Sequence, residues 1–222
     1  MINLLKPMRT ITLSLAMIFG GLAPTMSHAH SQSYMAPEAG TTISIKVATA
    51  KMSLRDLFLD HIYWTRSASL SLLTPPSAMY QTSAEMSQEN IKNLGKFVEP
   101  YCGAEKAQAF MDLFVEHYNL VIQFTNAVVA ANVDEMSSSE KLLYENGDKI
   151  ANFLSTENEF IIKDEVLLAF KTHIMHHLDQ VKMLKAGDYA AEAKLWTNMK
   201  AHVYAMADCM VMAMAQKYPD KF

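Results

Sequence analysis

The stretch AEKAQAFMDLFVEHYNLVIQFTNAVVAA, residues 104–131, decides the fold class. Phe110, Leu113, Phe114, His117, Leu120, Val121, Phe124 and Val128 recur at intervals of three and four, the period of an α-helix with one face turned to a core. At 1.5 Å per residue the stretch is a rod of roughly 40 Å. No glycine or proline interrupts it after Gly103. Its one departure from apolar character on that face is His117, at mid-length.

The flanking sequence reads the same way in both directions. A helix is predicted over 54–73, with Ser53 and Asp56 as a capping box and Pro75-Pro76 as its stop. Shorter helices are predicted over 84–98, boxed by Thr82 and Glu85, and over 137–154, boxed by Ser137 and Glu140. A long helix over 164–185 ends at Gly187, and Asp188 caps a last one that reaches 216. No stretch of any length alternates with period two, no low-complexity run occurs, and no internal repeat is apparent. The expectation is an all-α protein: an up-and-down helical bundle of four long helices (first, third, fifth and sixth) with two shorter ones flanking it.

The N-terminal region differs. Lys6 and Arg9 precede an apolar run, Ile11 to Leu22, that is short for a membrane span, and Ser27-His28-Ala29 supplies a small-x-small cleavage pattern. Residues 1–29 therefore read as a signal peptide, 30–51 as an extended leader with one short strand at Thr42 to Val47, and 52–222 as the bundle domain. The expected location is periplasmic or secreted, with no stable membrane insertion after cleavage. A net charge of -4 gives no basic footprint for nucleic acid. Cys102 and Cys209 either pair in an oxidising compartment or stay free, Cys209 as a buried thiol.

Histidines carry the functional signal. When each long helix is phased by its apolar stripe, His61, His117, His177 and His202 each fall on a buried face, away from the helix ends. Four imidazoles meeting in a core cannot all be protonated, because like charges repel in a poorly hydrated interior. A transition-metal ion (Fe, Cu or Zn) satisfies their lone pairs instead. His173, four residues before His177, is a fifth candidate ligand; Asp208 reaches the same ion only from an edge and is the expected partner of Arg66. His176 points away from this stripe, towards solvent. Without metal, the histidines are core hydrogen-bonders to Asp148, Asp179, Asp208 or Tyr204, or a pH switch. Met206, Met210 and Cys209 beside His202 suit Cu(I), or are flexible core filler, and His30, if exposed by cleavage, offers copper an amine and an imidazole. No nucleophile elbow, phosphate loop or dinucleotide fingerprint occurs. Whether the chain is an enzyme stays open: with an ion at these histidines it would serve sensing, storage, delivery or small-ligand binding, or be an oxidative metalloenzyme, and without metal it would be an interaction or stress protein.

The order of histidines resembles that of hemerythrin, a four-helix di-iron oxygen carrier: His61 matches the histidine of its first helix, and His173 with His177 the pair on its third. The pattern departs where Val121 follows His117 at the place of a glutamate, and where Asp208 comes one residue late after His202. A di-iron centre needs bridging carboxylates, so the resemblance implies a mononuclear site at most. A second resemblance covers nearly the whole chain after residue 29. Asp60-His61-Ile62-Tyr63-Trp64-Thr65-Arg66, Glu116-His117, Asn146-Gly147-Asp148-Lys149-Ile150-Ala151, His202 to Asp208 and Tyr218-Pro219-Asp220-Lys221-Phe222 are similar to a bacterial family of small all-helical proteins with a DHxxWTR helix and a HxxxMAD helix. That resemblance implies the helical fold and singles out the same four histidines, His61, His117, His177 and His202; it implies no activity.

Overall fold

The computed structural model describes residues 43–75 and 78–222. The segment read as a signal peptide, 1–29, and most of the expected leader fall outside these residues. The described chain is all-helical: α1 (Ile45–Leu73), α2 (Met79–Cys102), α3 (Ala104–Ala130), α4 (Val133–Glu157), α5 (Lys163–Ala186) and α6 (Tyr189–Lys217), followed by one 3-10 turn at Pro219–Lys221. The bundle expectation holds, but α2 and α4 are not short. They run 24 and 25 residues, against 24 to 29 for the others.

Three expected capping boxes lie inside helices. Ser44, not Ser53, caps α1 by accepting from the Val47 N–H at 3.1 Å, and Ile45 to Val47, expected as part of a strand, begin the helix, with Val47 and Ala50 buried. Asn132 caps α4, accepting from Glu135 N–H at 3.2 Å, five residues before the predicted cap at Ser137. The physical reason is packing: an apolar face extended by one turn or more outweighs a local box worth about 1 kcal/mol. The C-terminal signals fared better. Asp188 caps α6, and Gly187 closes α5 at φ 72°, a left-handed conformation that suits glycine.

Successive helices run antiparallel. Asn90 of α2 bonds Leu57 of α1 while Ser83 bonds Ser67, so sequence order reverses across the pair. The same reversal joins α3 to α4, through Asn146 with Leu113 and Lys106 with Glu157, and α1 to α6, through Arg55 with Asp208 and Arg66 with Glu192. The odd helices therefore run parallel to one another, and they form the inner layer: α1, α3 and α5 each touch the other two. Each even helix lies in a groove between two odd ones, α2 on α1 and α3, α4 on α3 and α5, α6 on α5 and α1.

This arrangement exposes a repeat that composition does not reveal. The bundle is three α-hairpins in succession, and Phe58-x-x-His61, Phe114-x-x-His117 and Phe170-x-x-His173 recur at one interval of 56 residues (61 to 117, 117 to 173). A hydrogen bond recurs with them. Asn90 Nδ2, Asn146 Nδ2 and His202 Nε2 donate to the carbonyls of Leu57, Leu113 and Ala169, each across a separation of 33 residues. The parallel inner helices thus carry equivalent histidines at equal height.

Candidate metal centre

The core has two apolar clusters. One holds Phe58, Phe114 and Phe170; the other holds Val121, Phe124, Leu143, Ile174 and Leu178. Between them, on the inner helices, lies a polar layer of His61, His117, His173 and His177, all at least 95% buried. Each presents a ring nitrogen, and these four atoms lie within 4.8 Å of one another. Five of the six distances between ring centroids fall between 5.7 and 5.9 Å, and the sixth, His173 to His177, is 4.5 Å. The rings converge on a common centre. Four nitrogens at about 2.0–2.1 Å from one ion lie roughly 3.4 Å apart; His173 Nε2 and His177 Nε2 are already at 3.1 Å.

The lone pair of His117 is fixed by its surroundings. Asn146 donates both amide hydrogens, to Leu113 O and to Glu116 Oε2, each at 3.1 Å. Its Oδ1 therefore accepts, and the donor at 3.0 Å is His117 Nδ1–H. Neutral His117 then carries its lone pair on Nε2, which is buried without a partner. Lys149 Nζ donates to Glu116 Oε1 at 2.7 Å and, with Asn146, holds that carboxyl below its usual range. Such an outer chain, from imidazole to amide to carboxylate, orients metal-ligating histidines. Asn90 occupies the equivalent place behind His61. Its Nδ2 donates to Leu57 O at 2.9 Å, and its Oδ1 is buried and unpartnered. His61 Nε2 and His173 Nδ1 are likewise buried without partners.

Burial keeps all four rings neutral. It pushes His61 down to about 3 and His117 to about 4 from an ordinary 6.5, with His117 adding to the effect at His61 and Asn146 opposing it at His117. His173 and His177 fall well below 6.5, first through burial, then through the nearness of His177, His117 and His61 at His173 and of His61, His117 and His176 at His177. Neutral imidazoles are the ligand form.

The other expected ligands are elsewhere. His202, on outer helix α6, donates through Nε2 to Ala169 O at 3.0 Å and lies outside the group of four, because the inner layer is α1, α3 and α5. Asp208 is further out. Arg55 holds it in a two-pronged bond, at 2.7 and 2.6 Å, with Lys51 at 3.7 Å. Its expected pairing with Arg66 does not form, because Arg66 stands 11 residues, about 16 Å, along α1 from Arg55. Arg66 instead grips buried Glu192 at 2.6 and 2.8 Å, and Gln180 donates to the same carboxylate at 2.9 Å. His176, expected at the surface, is half-buried, with its ring 5.3 Å from that of His202. Cys102 and Cys209 are free thiols. Met206 borders the histidine layer, whereas Met210 and Cys209 line a groove further out.

Sequence reasoning missed Asn90 and Asn146 as orienting residues. The signal for them was an asparagine 29 positions after each of two core histidines (61 to 90, 117 to 146).

No protein-family model, curated protein or solved structure matches the chain. Among the described residues no helix is long and apolar enough to cross a membrane.

Proposed function

We propose that this protein binds one transition-metal ion through His61, His117, His173 and His177, and that it does so outside the cytoplasm, following export directed by residues 1–29. The observation that carries the metal reading is the buried lone pair on His117 Nε2. Asn146 fixes its direction, no protein group donates to it, and three neutral imidazoles share its surroundings. An all-imidazole set suits Zn, Cu, Fe or Ni, and the absence of a carboxylate or thiolate from the set argues against a Mg, Ca or thiolate-type site. A buried nitrogen with nothing to bond costs about 1–3 kcal/mol. Three such nitrogens on the clustered rings disfavour the metal-free reading, in which the histidines serve only as core hydrogen-bonders. The chemistry such an ion supplies is Lewis acidity or, for iron and copper, electron transfer. The protein's part is to hold the four rings neutral, oriented and dry.

Elemental analysis of the untagged protein, purified from the exported fraction beside the His61→Ala/His117→Ala double variant, tests this. Close to one mole of a transition metal per chain, lost in the folded double variant, is the expected result. A wild-type chain that takes up no Zn, Cu or Fe at micromolar concentration overturns it.

A further inference from the structure

The equivalence of the three hairpins gives the site two unlike faces. His61, His117 and His173 sit at one height on three parallel helices and form a triangle. His177 lies one turn further along α5, on one side of that triangle. The positions one turn before the triangle are Phe58, Phe114 and Phe170. They close a small cavity, about 10 Å³, bounded also by His61, His173, Val203 and Met206. Neither His177 nor His117 borders it. The fourth histidine and the cavity thus lie on opposite sides of the triangle.

We infer that this cavity is the site of an exchangeable ligand to the ion, and that the ligand is a neutral diatomic molecule of the dioxygen, nitric oxide or carbon monoxide class. The inference rests on the metal reading. Free space of this volume holds about one water-sized sphere. Its walls beyond the two imidazoles are phenyl, isopropyl and thioether groups. A buried water needs two to four polar partners, and the only polar groups on these walls are the two imidazoles, which the ion would engage. Anions are excluded for a stronger reason, the cost of desolvating a charge among three phenyl rings. A small molecule of low polarity fits both size and surface. It also has a way in. An outer apolar groove of about 80 Å³, lined by Val166, Cys209, Met210 and Ala213 among others, shares Phe170 and Met206 with the inner cavity. Those two side chains form the wall between groove and site, and methionine is flexible enough to swing.

The test uses full-length protein loaded anaerobically with Fe(II), with iron content measured, and nitric oxide as the probe. The electron paramagnetic signal of iron with nitric oxide bound should appear at one per iron. Val203→Leu, which adds a methylene to the cavity wall, should weaken nitric oxide binding at least tenfold at unchanged iron content. Phe58→Leu, which enlarges the cavity, should admit methyl isocyanide, which the wild type excludes. Iron retained at one per chain with no nitric oxide signal overturns this inference and leaves the metal reading standing. So does a signal equally strong in Val203→Leu, or isocyanide excluded from Phe58→Leu as it is from wild type. Failure to retain iron, copper or zinc at all overturns the metal reading, and this inference with it.

Discussion

Asn146 uses both amide hydrogens and its oxygen at once, on Leu113 O, Glu116 and His117. That full use is what makes it an orienting group: it cannot turn without leaving a buried partner unmatched. Asn146→Leu should lower metal affinity about 10- to 100-fold, the usual cost of losing an outer-shell partner. Asn90 is half-used in the same frame, its Oδ1 unpartnered behind His61. Ion binding that draws His61 inward should bring its Nδ1–H onto Asn90, and Asn90→Leu should weaken the metal comparably. Titration of each variant against a chelator of known strength measures both. Equal affinity in wild type and variants would show that the imidazoles need no such support. Neither asparagine stood out in the sequence as a partner of a histidine, because an asparagine inside a helix looks like any other polar position until the partner carbonyl across the hairpin is known.

The helices themselves were legible, since the 3.6-residue stripe is a property of each segment alone. Their ends were less so. Ser53, Thr82 and Ser137 form local boxes that the packed faces of α1, α2 and α4 override. The pairing of helices was hidden for a different reason. Which helices are inner depends on contacts between hairpins, and the equivalent core positions keep size without keeping identity, as with Leu54 and Phe110. That is why His202 looked like a ligand and His173 like a reserve. It is also why Arg66 was assigned to Asp208 rather than Glu192. Glu192 is 3% exposed, and its guanidinium partner and Gln180 together hold it charged. Arg66→Ala leaves that carboxylate buried and unpaired, and should cost about 3–5 kcal/mol of stability, read by denaturant unfolding. Arg55→Ala, at a more exposed pair, should cost no more than about 1 kcal/mol. Equal losses at the two sites would contradict the placement of Glu192 in the core.

At the scale of the whole molecule, the buried histidines tie folding to protons and, in the function proposed, to metal. In the folded chain His61 takes a proton only near pH 3 and His117 only near pH 4, whereas in the unfolded chain both do so near 6.5. Between those limits the unfolded state binds more protons, so stability falls as pH falls. Each group contributes a loss of up to about 1.4 kcal/mol per pH unit. Above about pH 7 the contribution is constant. The metal-free protein should therefore lose thermal stability steeply from pH 6.5 downward, and His61→Phe should flatten that slope. Bound metal, holding the rings neutral, should raise the curve most near neutral pH and progressively less as protons compete for the ligands. All of this depends on one ion meeting four imidazoles at the meeting point of three parallel helices. X-ray absorption spectroscopy of the zinc-loaded protein examines that first coordination sphere directly. Four nitrogen scatterers at about 2.0–2.1 Å, with the multiple-scattering pattern of imidazole, are predicted. A sphere dominated by carboxylate oxygen or by sulfur would contradict the account.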